Sequence, residues 1–277
     1  SKLEKQPRSG SGRQIYLDPK LWDSWTAIPF LVPETAVHFL PKLSDVSTGS
    51  TSFPNSPRNT PAAAGTPTTA GAPTTAAAFI VWPYHAWEPS VLPYLTHPAY
   101  LSFTAGPKAQ GDLDPEPYTI AMIAKREPLT QVTVPDPIAR FERGILLHAA
   151  LVHNKIQDGG PDQGALFVNL WWSTTGRLTE PYTVFVHYLR DGERVAQDDA
   201  QPGHGYLPTT SWWPGDLIMD EHVLPALEAS VAIVPNPARD TLRIGLYNGD
   251  TLEGLSLLDS SGNPADDWFD WPVILSE

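Results

Sequence analysis

Beyond residue 140 the chain alternates. In residues 165–172, Leu166, Val168, Leu170 and Trp172 recur at period two, which places them on one face of an extended strand. Comparable short runs, rich in β-branched and aromatic residues, lie at 143–154, 182–190, 193–199, 216–224, 241–249, 254–259 and 268–275. Turn formers separate them: Arg190-Asp191-Gly192, Pro214-Gly215-Asp216 and Ser261-Gly262-Asn263-Pro264. Strands at this spacing predict a mainly β fold, with an antiparallel, jelly-roll-like β-sandwich over 129–277.

Before that point the texture differs. Residues 1–13 read as a polar, basic lead-in. Residues 14–128 read as a small α/β unit: a strand at 15–17, a helical turn over 19–25 capped by Asp18, a strand at 28–32, and a short helix from 33 to about 40. A strand at 79–82 and a proline-broken helical stretch come next, then a strand over 118–127. Residues 47–78 interrupt this unit with an Ala/Pro/Thr-rich tract holding the near-duplicate hexamers AGTPTT and AGAPTT. Such a composition has too little apolar surface to offset the entropy of ordering, so it predicts a flexible loop.

Composition narrows the functional classes. Thirty Pro and 20 Gly among 277 residues leave little room for long helices. The formal net charge is -13, and it is unevenly placed: residues 1–150 carry 12 acids and 12 bases, whereas residues 151–277 carry 19 acids and 6 bases. An acidic second half argues against nucleic acid or an anionic membrane surface as its partner. With no cysteine, disulfides and thiolate metal sites are excluded. No run of 18 apolar residues offers a transmembrane segment. The chain opens on Ser1 without an initiating Met, and reads as a fragment or processed form.

Four pieces of the second half occur in an order that resembles a known family: "TVFVHYLRDGERVAQDD" at 183–199, the corner "LPTTSWWPGDLIMD" at 207–220, "GLYNGD" at 245–250, and "LLDSSG" at 257–262. The series is similar to the C-terminal extracytoplasmic β-sandwich of bacterial membrane glycosyltransferases of the dolichyl-phosphate-mannose protein mannosyltransferase type, over roughly 130 residues. The segment "IYLDPKLWDSWTAIPFLVP" also resembles the stretch after the last membrane helix in such proteins. The resemblance implies a periplasmic or cell-surface location and attachment to a membrane-anchored parent or neighbouring subunit. It transfers no catalytic residue, because the membrane domain carrying the family's catalytic acids has no counterpart here.

The candidate chemistry gathers at "TSWWPGDLIMDEH", residues 210–222. Neighbours on a strand face opposite ways, so at most one of Trp171/Trp172 and one of Trp212/Trp213 enters the core if these stretches are extended. The other indole is left at a surface, where a flat apolar ring beside polar donors grips sugar. Trp212, Trp213, Asp216 and His222 are therefore the candidate ligand-binding residues. The bland alternative is that an indole plugs the end of the fold and bonds a backbone carbonyl. Asp198, Asp199, Asp216, Asp220 and Glu221, clustered with His204 and His222, offer hard oxygen ligands that could hold calcium, but no EF-hand loop is present, and no metal or cofactor is assigned. Nucleophile-elbow, zincin and phosphate-loop motifs are all missing. The sequence thus points to a non-catalytic accessory module that binds a glycan or a protein partner. The alternatives are a structural or assembly subunit and, less favoured, a glycoside-active enzyme.

Overall fold

The computed structural model describes residues 14–24, 37–40, 76–82, 97–106, 108–110, 117–119, 122–129, 132–154, 165–225 and 235–275. Expectations for 1–13, 28–32, the proline-broken stretch after 82 and most of the tract at 47–78 lie outside them. Within the described residues the protein is mainly β. In chain order the elements are β1 (Gln14–Leu17), helix α1 (Pro19–Ser24), β2 (His38–Phe39), β3 (Ala77–Val81), β4 (Ala99–Ala105), β5 (Lys108–Gln110), β6 (Pro117–Thr119), β7 (Met122–Pro128) and β8 (Ala139–Arg140). There follow β9 (Ile145–Asn154), β10 (Leu166–Thr174), β11 (Tyr182–Arg190), β12 (Glu193–Ala200), β13 (Leu217–Leu224), β14 (Asp240–Asn248), β15 (Leu257–Leu258), β16 (Pro264–Asp266) and β17 (Phe269–Pro272).

Two sheets carry the fold. The first has the order β2-β1-β3-β7-β4-β13-β10-β9-β8, and the second β12-β11-β14-β17. The second is antiparallel throughout. The first is mixed: β1 pairs in parallel with β2 and β3, and β4 in parallel with β13 through Leu217↔Tyr100. Strands from both sides of residue 128 therefore share one sheet. The purely antiparallel pattern expected from the second half does not extend to it, because the N-terminal strands add through the parallel β4–β13 seam.

Three local expectations change. His38 and Phe39, expected at the end of a helix, form β2, since β1 offers them a parallel partner through Tyr16↔His38 and Leu17↔Phe39. The single strand expected over 118–127 is divided: β6 pairs with β5 in a separate hairpin, and β7 alone enters the large sheet. The Ala/Pro/Thr tract ends early, because Ala77 and Ala78 are buried in β3. By contrast, α1 starts at Pro19 with the Asp18 carboxylate accepting from the Lys20 amide at 2.8 Å, an N-cap that satisfies an otherwise orphaned donor.

Alternation in β10 behaves as its pattern demands. Leu166, Val168, Leu170 and Trp172 are all fully buried. They join Val184, Val186 and Tyr188 of β11 and Leu242, Ile244 and Leu246 of β14 in one core cluster drawn from both sheets. Asp191 and Gly192 both take positive φ, 52° and 85°, in the two-residue turn between β11 and β12, the backbone that matches the twist of a tight hairpin. Beside this turn, Tyr188 donates to the buried Asp240 carboxylate at 2.5 Å, and Arg190 donates to it at 2.9 Å.

Candidate functional site

The Trp212–Trp213 corner precedes β13 and follows a 3-10 turn at Thr209–Ser211. Trp212 takes extended backbone, with φ -70° and ψ 139°, so the two indoles diverge. Trp212 is buried, and its Nε1 donates to the Leu207 carbonyl at 2.9 Å. Trp213 is 45% exposed. The plug and the platform that the sequence offered as alternatives are both present, on neighbouring residues.

Trp213 is held in place from several sides. Asp216, closed to solvent, accepts from the Trp213 amide at 3.2 Å and from the Ala99 amide at 2.9 Å, and its other contact is His97 Nδ1 at 2.6 Å. Buried Arg126 lies within electrostatic reach of this carboxylate. His97 in turn stacks on Trp213, with ring centroids 5.1 Å apart and planes at 20°. The Arg177 guanidinium sits 4.5 Å from the indole centre, and it donates to the Trp212 and Thr210 carbonyls at 2.7 and 3.1 Å. An indole stacked against an imidazole and a guanidinium has little rotational freedom left to lose on binding.

Arg177 also walls a cleft of about 180 Å³, together with Arg143, Leu178, Thr179, Glu180 and Tyr182. The Tyr182 hydroxyl donates to Glu180 Oε2 at 2.8 Å and also meets Arg143. Buried Thr209 fastens this floor to the Trp corner: its Oγ1 accepts from the Tyr182 amide at 2.9 Å and donates to the Glu180 carbonyl at 3.0 Å. Thr209→Val keeps the shape and deletes both bonds, so it should lower the unfolding free energy by about 1–3 kcal/mol in urea denaturation.

The second half of the candidate stretch turns inward. On β13, Ile218, Asp220, His222 and Leu224 point to one face, and all are buried against the core. His222 Nε2 lies 3.0 Å from Asp220 Oδ2, and its Nδ1 lies 3.1 Å from Asp198 Oδ2 of β12. Asp220 also accepts from the Gly203 amide at 2.8 Å, and Asp198 from the Val223 amide at 3.0 Å. Burial alone would push the His222 pKa down; the Asp220 charge and the bonds to Asp198 and Asp220 outweigh it and hold the value at about 10. Asp198 is partly buried, which would raise its pKa, yet His222 draws it below the usual carboxylate range. An imidazolium between two carboxylates thus ties the two sheets together. Acids that looked available for calcium are occupied here, and among the described residues no group of three or more is arranged to hold a metal ion.

Of the four candidate residues, Trp213 alone meets solvent; Trp212, Asp216 and His222 are enclosed by protein. The structure brings Trp212, Trp213 and Asp216 together at one corner and places His222 in the buried link between the sheets. The residues sequence reading missed are His97, Arg143, Arg177, Glu180, Tyr182 and Thr209. Arg143 and Arg177 each adjoin a glycine at a strand boundary, a faint signal; His97 lies 119 positions from Asp216 and left none. The chain matches no family model, and no curated protein matches it. Among the described residues, no helix is long and apolar enough to cross a membrane.

Proposed function

We propose that this chain is a non-catalytic, extracytoplasmic accessory module, with its two sheets packed as a sandwich, that binds glycan at the Trp213 corner and serves a membrane-anchored glycosyltransferase-like parent or neighbouring subunit. The observation that carries this reading is the exposed Trp213 indole, fixed by Asp216, His97 and Arg177 and bordered by a polar cleft. The part of a fixed indole left open to solvent, beside hydrogen-bonding groups, can meet the apolar face of a sugar ring at small entropic cost. The cleft is lined by one carboxylate, Glu180, whereas hydrolysis of a glycosidic bond ordinarily needs two facing each other.

Trp213→Ala tests the assignment. It should remove binding to a glycan array while shifting the melting temperature by no more than about 4 °C, since a half-exposed ring with one cation–π contact contributes about 1 kcal/mol or less. A variant that binds the array as wild type does would refute the platform. It would then favour the assembly-subunit reading, which has its own support: Leu151, Ile274 and Leu275 stand exposed, and Leu275 bridges Val152, next to Leu151.

A further inference from the structure

We infer that the cleft between Arg143 and Arg177 receives the carboxylate of an acidic sugar, so that the glycan taken at the Trp213 corner is a uronate-type polymer rather than a neutral one. The inference rests on the glycan reading above and adds the charge of the ligand. It follows from the lining of the cleft: two arginines and one carboxylate, Glu180, border about 180 Å³. That is a local excess of one positive charge in a half of the chain where acids outnumber bases 19 to 6.

Three arginines elsewhere in the second half are differently employed. Arg190, Arg239 and Arg243 are each ion-paired, with Asp240, Asp191 and Asp270. Arg177 instead binds the carbonyls of Trp212 and Thr210, and Arg143 meets the Tyr182 hydroxyl. These direct partners are neutral, so Glu180 is the one carboxylate in the cleft lining to offset the two guanidiniums.

The position of Arg143 is built, at a cost to the backbone. Arg143 has φ 59° and ψ 10°, a left-handed conformation that a non-glycine side chain avoids without some compensation. Gly144 follows at φ 74°, where a Cβ would collide with Thr175 Oγ1, and its carbonyl accepts from the Thr175 amide at 2.9 Å. This close crossing brings the turn before β9 against the end of β10, and so sets Arg143 opposite Arg177.

Charge and size select among anions. A carboxylate neutralises the excess of one, whereas a phosphate monoester, with about 1.5–2 negative charges, overshoots it beside Glu180. At about 30 Å³ per water, the cleft holds the equivalent of about six waters, enough for a carboxylate and part of one ring. Arg177 is the common wall of the cleft and the indole, so a carboxylate on one sugar and the ring face of the same or next sugar reach both.

The experiment is calorimetric titration of the whole chain with three tetrasaccharides: a glucuronate tetramer, a glucose tetramer, and the glucose tetramer phosphorylated at the 6-position. The glucuronate tetramer should bind at least about tenfold more tightly than the glucose tetramer, as expected for a charge-assisted pair. Arg143→Asn, which suits a positive φ, should erase that preference. Glu180→Gln, which raises the local excess to two, should strengthen glucuronate binding, an effect no merely structural role would produce. Equal affinity for the charged and neutral tetramers overturns the inference and leaves the glycan platform standing. Tighter binding of the phosphorylated tetramer overturns the choice of carboxylate. Failure of all three to bind removes both readings together.

Discussion

Asp220→Ala should lower the unfolding free energy by about 3–5 kcal/mol, because it strands a buried imidazolium. His222 is enclosed, and its two countercharges are Asp220 and Asp198, of which Asp198 is partly solvent-facing. Removing Asp220 also leaves the Gly203 amide without its acceptor. That amide anchors a loop whose Tyr206 stacks on Phe103 with centroids 4.4 Å apart. The loss should appear in urea denaturation followed by circular dichroism. Full retention of stability would mean that no charge is held at this place in the core.

The same network sets a pH dependence whose sign is determined. His222 has a pKa of about 10 in the folded protein against 6.5 ordinarily, so between those values the folded state holds a proton that the unfolded state has released. Unfolding free energy therefore falls as pH rises through that window, by at most about 1.4 kcal/mol per pH unit from this group. The contribution is complete below pH 6.5 and gone above about 10. Asp198, drawn below its ordinary 3.8, works in the opposite direction and loses its contribution as pH drops below that value. Stability from this network is greatest between about pH 4 and 6.5, and Asp220→Ala should flatten its alkaline slope.

Trp212→Ala should be comparably damaging, at about 3–5 kcal/mol, through the cavity left by a fully enclosed indole. The Leu207 carbonyl loses its donor in addition. The indole bonds the Leu207 carbonyl just ahead of the turn at Thr209–Ser211, and Thr209 fastens the cleft floor, so ligand binding should weaken along with the fold. Chemical denaturation read by circular dichroism separates it from its neighbour: Trp213→Ala acts on binding, Trp212→Ala on stability. Equal and small losses for both would mean that the corner is not anchored by Trp212.

These two indoles show how far the sequence reaches. Adjacent positions on extended chain face opposite ways, so one inward and one outward ring was legible from "SWWPG" once extended structure was assumed; which of the two was inward was not. The long strands β9 to β14 were legible to within about two residues, since runs such as Leu166, Val168, Leu170 and Trp172 had to share a buried face; the short strands β8 and β16 were not. "DLIMDEHVL" misled, because a strand covered on both sides has no polar face. There Asp220 and His222 lie with Ile218 and Leu224 in the core, and their charges are balanced by Asp198 from the other sheet.

Period-two alternation, turn chemistry and the sign of the charge are local properties of the chain, and they settled the β character, the positions of the longer strands and the acidity of the second half. The parallel seam between β4 and β13, the meeting of His97 with Asp216, the Asp198–His222–Asp220 link and the pairing of Arg143 with Arg177 were decided in three dimensions. Apart from Asp220 and His222, which share a face by lying two apart on β13, each joins residues whose separation in sequence carries no periodic or compositional trace, and their proximity depends on which strand edges and loops the packed core brings together.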